Sequence, residues 1–296
     1  MMVICLIYAT ILYKEPTSAA FEKLNNQARQ IQKSEQTQQK QPLYAQNTID
    51  YSLQNNQLNI TFDKGKTWKK VPVEKEKLFE GEYNGNQQEL IAHSYMLTKK
   101  CVSFLFSERP DSVNLIYSLD QGETWKKSSV TDHFLAVRFR KVSFLSDKFG
   151  YVILSGDRTM SQEISKVFLT VDGGKHWKET TNSGVTMLIS DGNFINKKTG
   201  FLSYGIINPE EPMLYETNDS GNTWNEAKIN MPAKYQKIFV MAETPFKEGN
   251  HLAVFINQGP SGDYLGGKIK GKFLSKDNGR TWEFSEEVTP NEAKQS

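Results

Sequence analysis

The sequence predicts an all-β protein built from repeated four-stranded units, and two observations lead to this prediction. A turn-like segment of eight residues occurs five times in the 296-residue chain, and all 5 tryptophans lie in its copies. Short runs rich in β-branched and aromatic residues precede each copy and are separated by turn-forming residues. A period of about fifty residues with this content is typical of repeat architectures.

The copies, called repeat turns below, follow the pattern Ser/Thr-x-Asp-x-Gly-x-Thr-Trp, and only His176 departs from it, where the pattern has Thr. They are Thr61–Trp68, Ser118–Trp125, Thr170–Trp177, Thr217–Trp224 and Ser275–Trp282. The Asp carboxylate can accept main-chain N–H groups across the turn, the Gly adopts a positive φ, and the Trp buries its ring at the start of the next strand. We therefore predict that each turn acts locally and closes one hairpin. The predicted structural residues are Asp63, Gly65, Trp68, Asp120, Gly122, Trp125, Asp172, Gly174, Trp177, Asp219, Gly221, Trp224, Asp277, Gly279 and Trp282.

A calcium site is the alternative interpretation of these turns, because Asp-x-Gly resembles part of a cation loop. Calcium takes about 6–8 oxygen ligands, whereas each repeat turn has one carboxylate at a fixed position. The 4 histidines and 2 cysteines are scattered without the spacing of a transition-metal site. The sequence predicts neither a metal nor a cofactor.

Four strands can be assigned around most of the turns. Around the third turn they are RKVSFLS, YVILSGD, KVFLTVD and HWKETT, and the second, fourth and fifth turns have the same order. Only DYSLQ and QLNITF precede the first turn, so the first unit is predicted to be short. Repeated four-stranded units predict a β-propeller. Five blades are expected, and a sixth blade without a turn would fit in the long spans before the second and fifth turns.

On these turns the chain resembles the Asp-box, or bacterial neuraminidase repeat (BNR), propellers. These occur in sialidases, sortilin-type propellers, xyloglucan-degrading glycosidases and photosystem II assembly factors. The resemblance extends over about residues 44–288. It implies that each turn links the third and fourth strands of a blade, away from the catalytic face, so it implies a fold and not an activity.

The N-terminal part of the sequence differs in composition from the repeats. Met1 to Tyr13 is uncharged but shorter than the roughly 20 apolar residues of a spanning helix. We expect a membrane anchor or signal segment at 1–13 whose upstream part is missing from this sequence; a short tail is the alternative. A polar, Gln-rich stalk is expected at 14–43, the propeller at 44–288 and a disordered tail at 289–296. This layout predicts an extracytoplasmic protein, anchored or secreted, at a bacterial cell surface.

No catalytic residues can be assigned. A sialidase should have an Arg-Ile-Pro motif, three substrate-binding arginines and a Tyr/Glu nucleophile pair, but the motif does not occur. The arginines of the propeller region are Arg109, Arg138, Arg140, Arg158 and Arg280, and we interpret Arg138 and Arg140 as solvent-facing residues of one strand. An inverting glycosidase needs two carboxylates about 6.5–9.5 Å apart. The candidates Asp111, Asp147, Asp157, Asp191, Glu243 and Asp263 cannot be paired from the sequence.

The sequence therefore favours a binding or scaffold propeller over an enzyme. SFLSDKFGYVI before the third turn resembles phrases of the assembly-factor propellers. The alternative is a glycosidase-like hydrolase, of sialidase or xyloglucanase type, with a divergent active site. The segment GDYLGGKI is predicted to be a loop at a channel end, where Asp263, Tyr264 and Lys268 would contact a protein or glycan ligand. The net charge of +2 gives no indication of a nucleic-acid partner.

Overall fold

A computed structural model describes residues 48–83, 85–135, 137–159, 162–205 and 208–289. These residues belong to the second of two compact units, which comprises residues 48–296. The predicted apolar segment 1–13, the predicted stalk 14–43 and all but the first residue of the predicted tail 289–296 lie outside the described residues. No helix in the described part of the chain is long and apolar enough to cross a bilayer.

The described residues form five sheets, named A to E in chain order, and their strands pair antiparallel except for one pair in sheet E. Sheet A contains β1 (Asp50–Gln54), β2 (Gln57–Thr61) and β3 (Lys69–Glu74). Sheet B contains β4 (Tyr95–Leu97), β5 (Val102–Phe106), β6 (Val113–Ser118) and β7 (Lys126–Thr131). Sheet C contains β8 (Phe139–Phe144), β9 (Gly150–Thr159), β10 (Gln162–Thr170) and β11 (Lys178–Glu179). Sheet D contains β12 (Ile189–Phe194), β13 (Gly200–Tyr204), β14 (Met213–Thr217) and β15 (Asn225–Glu226).

Sheet E is the largest. It contains β16 (Lys228–Asn230), β17 (Met241–Ala242), β18 (Phe246–Glu248), β19 (His251–Asn257), β20 (Lys270–Ser275) and β21 (Thr281–Val288). Strand β16 follows sheet D in the chain but pairs in parallel with β21, whereas the other strands of sheet E pair antiparallel. Three short 3₁₀ helices cover Glu76–Leu78, Ala233–Tyr235 and Tyr264–Gly266.

The repeat turns have the same place in the sheets. In sheets B, C and D the strands lie side by side in chain order, and the turn connects the third strand to the fourth. In sheet E it connects β20 to β21, and in sheet A it connects the last two of three strands. An all-β chain of successive four-stranded antiparallel sheets is consistent with the predicted β-propeller.

The core consists of four clusters of buried apolar side chains, and each lies between two successive sheets. Strand β9 shows how one strand serves two clusters. Val152 and Leu154 face sheet B, while Tyr151 and Ile153 face sheet D. Successive side chains of a strand point to opposite faces, so a strand in the middle of this stack must be apolar on both. The run YVIL at the start of β9 meets that requirement.

Four of the five repeat-turn glycines lie against the preceding sheet. All five have φ between +76° and +89°. A Cβ on Gly279 would lie 2.3 Å from the ring of Phe201 in sheet D, and one on Gly221 would lie 2.5 Å from Thr180, which follows the last strand of sheet C. The turns of sheets B and C also meet side chains of the sheets before them. The prediction that the turns act within one hairpin was therefore too narrow, because four of them also contact a neighbouring sheet.

Gly65, in the first repeat turn, differs from the other four glycines. The atoms nearest to a Cβ at this position belong to its own Trp68, and the closest is 3.5 Å away. The side chain of Trp68 is correspondingly 39 % exposed, whereas Trp282 is completely buried. The backbone constraint is thus common to all five turns, but the contact with a preceding sheet is not.

This difference predicts how alanine substitutions will rank. Gly65→Ala should cost only the left-handed backbone term of about 1 kcal/mol. Gly279→Ala should lower the free energy of unfolding by about a further 1–3 kcal/mol, because its methyl group must displace Phe201. Chemical denaturation of both variants measures the free energies of unfolding. Equal losses would contradict the packing role of the turn glycines.

Candidate functional site

The two ends of the sheets carry different kinds of residues. The N–H of Gly173 donates to Lys148 O (2.9 Å) and that of Ser220 to Lys198 O (3.0 Å), so the repeat turns lie at the same end as the turns between first and second strands. Because antiparallel strands alternate in direction, the loops after second strands and those joining successive sheets lie at the other end. We call this other end the loop face. It carries Arg109, Arg138 and Arg158 and the predicted contact residues 263, 264 and 268.

Arg138 is neutralised by a buried glutamate. Its Nε and Nη2 donate to the two carboxylate oxygens of Glu163 at 2.6 and 2.5 Å, and Nη2 also donates to Ile189 O at 2.8 Å. The N–H of Ile189 donates to the same carboxylate at 2.7 Å. The side chain of Glu163 is fully buried. This bidentate pair joins sheet C to the start of sheet D, and it engages the Nε and Nη2 atoms that would otherwise hold a substrate carboxylate.

Arg140 is also an internal residue, and the prediction that it faces solvent was wrong. Its side chain is 2 % exposed, and it donates to the carbonyl oxygens of Leu78, Glu80 and Val137. Burial lowers the pKa of Arg140 to about 10, and the charge of Glu80 opposes that shift. The guanidinium thereby ties the loop after sheet A to strand β8 of sheet C.

Two further arginines have local partners. Arg158 Nε lies 3.2 Å from Glu82 Oε2, and Arg109 Nε lies 3.2 Å from Asp111 Oδ1. Arg280 belongs to the last repeat turn, at the end opposite the loop face. Among the described residues, three free arginines therefore do not come together, as a sialidase carboxylate site would require.

Two of the candidate carboxylates lie near the first strands of their sheets, and each is paired with a lysine. Asp191 in β12 is 2.6 Å from Lys141 Nζ in β8. Glu243, which follows β17, is 2.6 Å from Lys270 Nζ and accepts from Asn257 Nδ2 at 3.0 Å. Of the other candidates, Asp111 pairs with Arg109, and Asp147, Asp157 and Asp263 are exposed. In the described part of the chain no three His, Cys, Asp or Glu side chains come together as metal ligands.

The loop between β19 and β20 is held in place by Gln258. Its side-chain amide donates to Tyr264 O and Ile269 O, both at 2.9 Å. A Cβ on Gly262 would lie 2.1 Å from the Gln258 side chain, so the loop folds back tightly over it. Asp263 and Lys268 are exposed on this loop, as a ligand contact requires.

Tyr264 points inward, unlike Asp263 and Lys268. Its hydroxyl donates to Glu287 Oε1 at 3.1 Å, and its ring packs edge-on against Phe239. The hydroxyl of Tyr235 donates to the same Glu287 oxygen, and that hydrogen bond lowers the pKa of Glu287. Although this is a Tyr/Glu pair, Tyr235 is only 2 % exposed, so its hydroxyl cannot reach a substrate.

Leu265 is the exposed apolar residue of the loop, and the sequence did not indicate it. Its side chain is 65 % exposed, and its backbone is left-handed with φ +48°. Gly266 and Gly267 continue this conformation with φ +80° and +74°. A left-handed backbone conformation destabilises a non-glycine residue by about 1–2 kcal/mol. Such strain is typical of functional loops.

The repeat turns share one hydrogen-bond pattern. The Ser/Thr hydroxyl donates to the Asp Oδ1 at 2.8–2.9 Å and accepts from the Gly N–H at 2.7–2.9 Å. The same Asp Oδ1 accepts the main-chain N–H four residues on at 2.8–3.1 Å. His176 fills the Thr position of the third turn, with Nδ1 2.6 Å from Asp172 Oδ2. Hydrogen bonds from the Thr hydroxyl and N–H lower the pKa of Asp63 and of Asp120 to about 2.

The tryptophans of two turns also reach the preceding sheet. Trp177 Nε1 donates to Ser128 Oγ of sheet B at 3.2 Å. Trp224 Nε1 donates to Thr181 O, just after sheet C, at 3.1 Å. Their rings pack edge-on against Phe144 and Phe194, which end the first strands of their own sheets.

Comparison with known proteins gives a partial family match. The Sortilin-Vps10 family model (sortilin, neurotensin receptor 3), a β-propeller domain, matches residues 56–199, just under half of the chain. No curated protein matches the chain. The family match and the four-stranded sheets both agree with a β-propeller.

Several solved glycosidase structures also resemble the chain. A GH74 xyloglucanase from Xanthomonas campestris has 15 % identity and a TM-score of 0.40, over 77 % of this chain and 34 % of that one. A family 117 glycoside hydrolase from Zobellia galactanivorans has 12 % identity and a TM-score of 0.38, over 67 % and 68 %. A GH43_1 enzyme from Xanthomonas citri has 9 % identity and a TM-score of 0.37, over 64 % and 71 %. The chain thus spans about a third of the xyloglucanase, and these likenesses carry no inference about activity.

The depressed pKa of Asp120 predicts a specific acid sensitivity. A carboxyl with a pKa of 3.8 in the unfolded chain and about 2 in the folded one stabilises the fold fully above pH 3.8. That stabilisation is lost as the pH falls through 2. Asp120→Asn should therefore lower Tm at pH 7, and the difference from the unsubstituted protein should vanish towards pH 2. A difference in Tm that does not change with pH would rule out this role of the carboxylate.

The buried pair of Arg138 and Glu163 predicts a large loss on removal of one charge. Glu163→Gln should lower the free energy of unfolding by about 3–5 kcal/mol, because it leaves the guanidinium without its counter-charge. Glu108→Gln is the matched control, since Glu108 pairs with Lys127 at the surface and should cost less than about 1 kcal/mol. Urea titrations of both variants provide the comparison. A small loss for Glu163→Gln would show that the pair does not hold sheets C and D together.

Proposed function

We propose that this chain is an Asp-box β-propeller of five blades that acts as a binding module, with the loop of residues 258–269 as its contact surface. The exposed, strained Leu265 on a loop fixed by Gln258 is the observation that carries the proposal. A loop ordered before binding loses little conformational entropy when a partner docks. Asp263 and Lys268 flank Leu265 and add a charge of each sign at the rim of this contact.

The chemistry of this surface favours a protein partner. A sugar ring is usually held against an exposed aromatic face, but the ring of Tyr264 packs inward against Phe239. Among the described residues the large exposed apolar side chains include one aromatic, Trp68, which lies in a repeat turn at the opposite end. An exposed aliphatic side chain with a polar rim is typical of protein contacts.

A divergent glycosidase is the alternative function. Its two carboxylates would have to come from the loop face or the first strands. The lysine partners of Asp191 and Glu243 argue against this role, because each carboxylate already forms an ion pair of 2.6 Å within the protein. A sialidase-type site is further disfavoured, because the arginines of the loop face already have partners within the protein.

We infer the location from the N-terminal sequence. Residues 1–13 would anchor the protein or direct its secretion, and a polar linker would hold the propeller away from the membrane. We infer an extracytoplasmic protein at a bacterial cell surface. The loop face would then be available to envelope or extracellular proteins.

Site-specific photo-crosslinking tests the proposed contact surface. A benzophenone side chain at position 265 of the full chain should form a discrete adduct with a protein of the expressing cell's envelope. Position 171 is the matched control, because Val171 is an equally exposed apolar residue, at 68 %, in a repeat turn. Leu265→Ser should remove binding of the captured partner without a change in Tm. The same adducts from both positions would refute the loop as the contact surface.

Hydrolysis assays test the alternative with the same protein. Xyloglucan and sialylated oligosaccharides should remain intact after long incubation. Turnover that is lost in Asp191→Asn or Glu243→Gln but kept in Asp147→Asn would establish the glycosidase and overturn the proposal.

A further inference from the structure

The end of the sheets that carries the repeat turns, called the turn face below, has exposed apolar side chains that the turns do not require. Leu119 and Val171 are 56 % and 68 % exposed, and each lies between the Ser/Thr and the Asp of its turn. The fourth and fifth turns have Asn218 and Lys276 at this position and form the same hydrogen bonds. The chemistry of the turn therefore does not account for an apolar side chain here.

Two further exposed apolar side chains lie on the turn face. Leu145, in the turn between β8 and β9, is 44 % exposed, and Trp68 is 39 % exposed. The turn that contains Leu145 is hydrogen-bonded to the third repeat turn, and Lys69 Nζ donates to Gln121 O at 2.9 Å, which places the first two repeat turns side by side. The exposed apolar side chains thus come from three consecutive sheets, A, B and C.

The turn face also carries exposed lysines. Among the described residues, six of them in three turns and one repeat turn have no ion-pair partner: Lys64, Lys66, Lys99, Lys100, Lys197 and Lys198. The carboxylates of this face are largely engaged within the protein. Each turn Asp accepts a hydroxyl and a main-chain N–H, and Glu123 pairs with Lys69 at 2.5 Å. Asp147 is exposed, and Lys148 lies next to it in the chain.

The loop face differs in charge from the turn face. Its loops contain exposed carboxylates, including those of Glu80, Glu89, Glu210 and Glu211. Its arginines do not offset them, because each pairs with a further carboxylate. A negatively charged surface is therefore attracted to the turn face and not to the loop face.

We propose that the turn face docks on a bilayer that contains anionic lipids. Its lysines bind the lipid phosphates, and Leu119, Leu145 and Val171 enter among the headgroups. Trp68 lies at the interface, where an indole is favoured. Docking of this kind combines buried apolar area with electrostatic attraction, and the turn face supplies both. A nucleic acid would also attract the lysines, but it stacks its bases on exposed aromatic rings and not on leucine or valine.

The course of the chain agrees with this orientation. The described residues begin at Thr48, whose carbonyl accepts the N–H of Lys64 at 3.2 Å, so the chain enters sheet A at the turn face. With the turn face on the bilayer, the loop of residues 258–269 points away from the membrane. The docking depends neither on the proposed contact at Leu265 nor on residues 1–13, because its side chains belong to the sheets themselves.

Environment-sensitive probes on the full chain test the docking. In a Cys5→Ser, Cys101→Ser background, Leu119→Cys and Val171→Cys are labelled with acrylodan, and Leu265→Cys on the loop face is the matched, equally exposed control. Vesicles of phosphatidylcholine with about one third phosphatidylglycerol should shift the emission at 119 and 171 to the blue, but not at 265. Pure phosphatidylcholine should give a much smaller shift, and high salt should reduce the shift on the mixed vesicles.

Charge variants test whether the lysines of the turn face drive the binding. Lys99→Gln with Lys100→Gln should weaken binding of the protein labelled at 119 to the mixed vesicles by at least about tenfold, since each lysine near an anionic surface contributes about fivefold. Lys234→Gln with Lys237→Gln, at exposed positions of the loop face, should change binding by less than about twofold.

Three results would overturn the proposal: no shift at 119 and 171, equal shifts at all three positions, or equal losses of binding from the two double variants. Residues 1–13 are present in every variant, so attachment through them cannot produce the differences between positions. Loss of these differences would leave the contact at Leu265 standing, because the crosslinking at position 265 reports on the opposite end of the sheets.

Discussion

The carboxylate at the centre of each repeat turn is the interaction on which the rest of the structure depends. It accepts a hydroxyl and a main-chain N–H at once, which fixes the turn so that its glycine adopts a positive φ. Because that glycine has no side chain, the turn can approach the preceding sheet closely, as Gly279 approaches Phe201. A local hydrogen-bond pattern is thereby converted into a contact between sheets. The large apolar clusters that lie between the sheets depend on this spacing.

On the loop face, by contrast, the arginine side chains are held by groups within the protein. The guanidinium of Arg138 is held by Glu163 and that of Arg140 by three carbonyl oxygens, so both serve to join neighbouring sheets. Buried ion pairs add little net stability but are costly to disrupt. What remains for recognition is the surface that these contacts do not use. Within that surface, the loop of residues 258–269, proposed above as the contact surface, combines a backbone held by Gln258 with an exposed apolar side chain, Leu265.

The sequence predicted the fold well because the turn chemistry is local. Asp, Gly and Ser/Thr at fixed spacing determine a hairpin without reference to the rest of the chain, and five copies reveal the period. The sequence predicted the burial of individual side chains poorly, because burial depends on which residues of the neighbouring sheet pack against them. Arg140 occupies a position in the strand pattern that predicts a surface residue, yet it lies buried beneath the loop after sheet A. Trp68 and Trp282 have the same place in their repeat turns, but they differ in burial because different residues surround them. No sequence pattern identifies Leu265, because an exposed leucine in a loop belongs to no recurring motif.

The central claim is that the second to fifth repeat turns each fasten their sheet to the preceding one. A double-mutant cycle between Trp177 and Ser128 tests it most directly, because their hydrogen bond of 3.2 Å joins sheet C to sheet B. The free energies of unfolding of Trp177→Phe, Ser128→Ala and the double variant should give a coupling of about 0.5–1.5 kcal/mol. A coupling of zero, with each variant losing its stability independently, would show that the turns stabilise only their own hairpins.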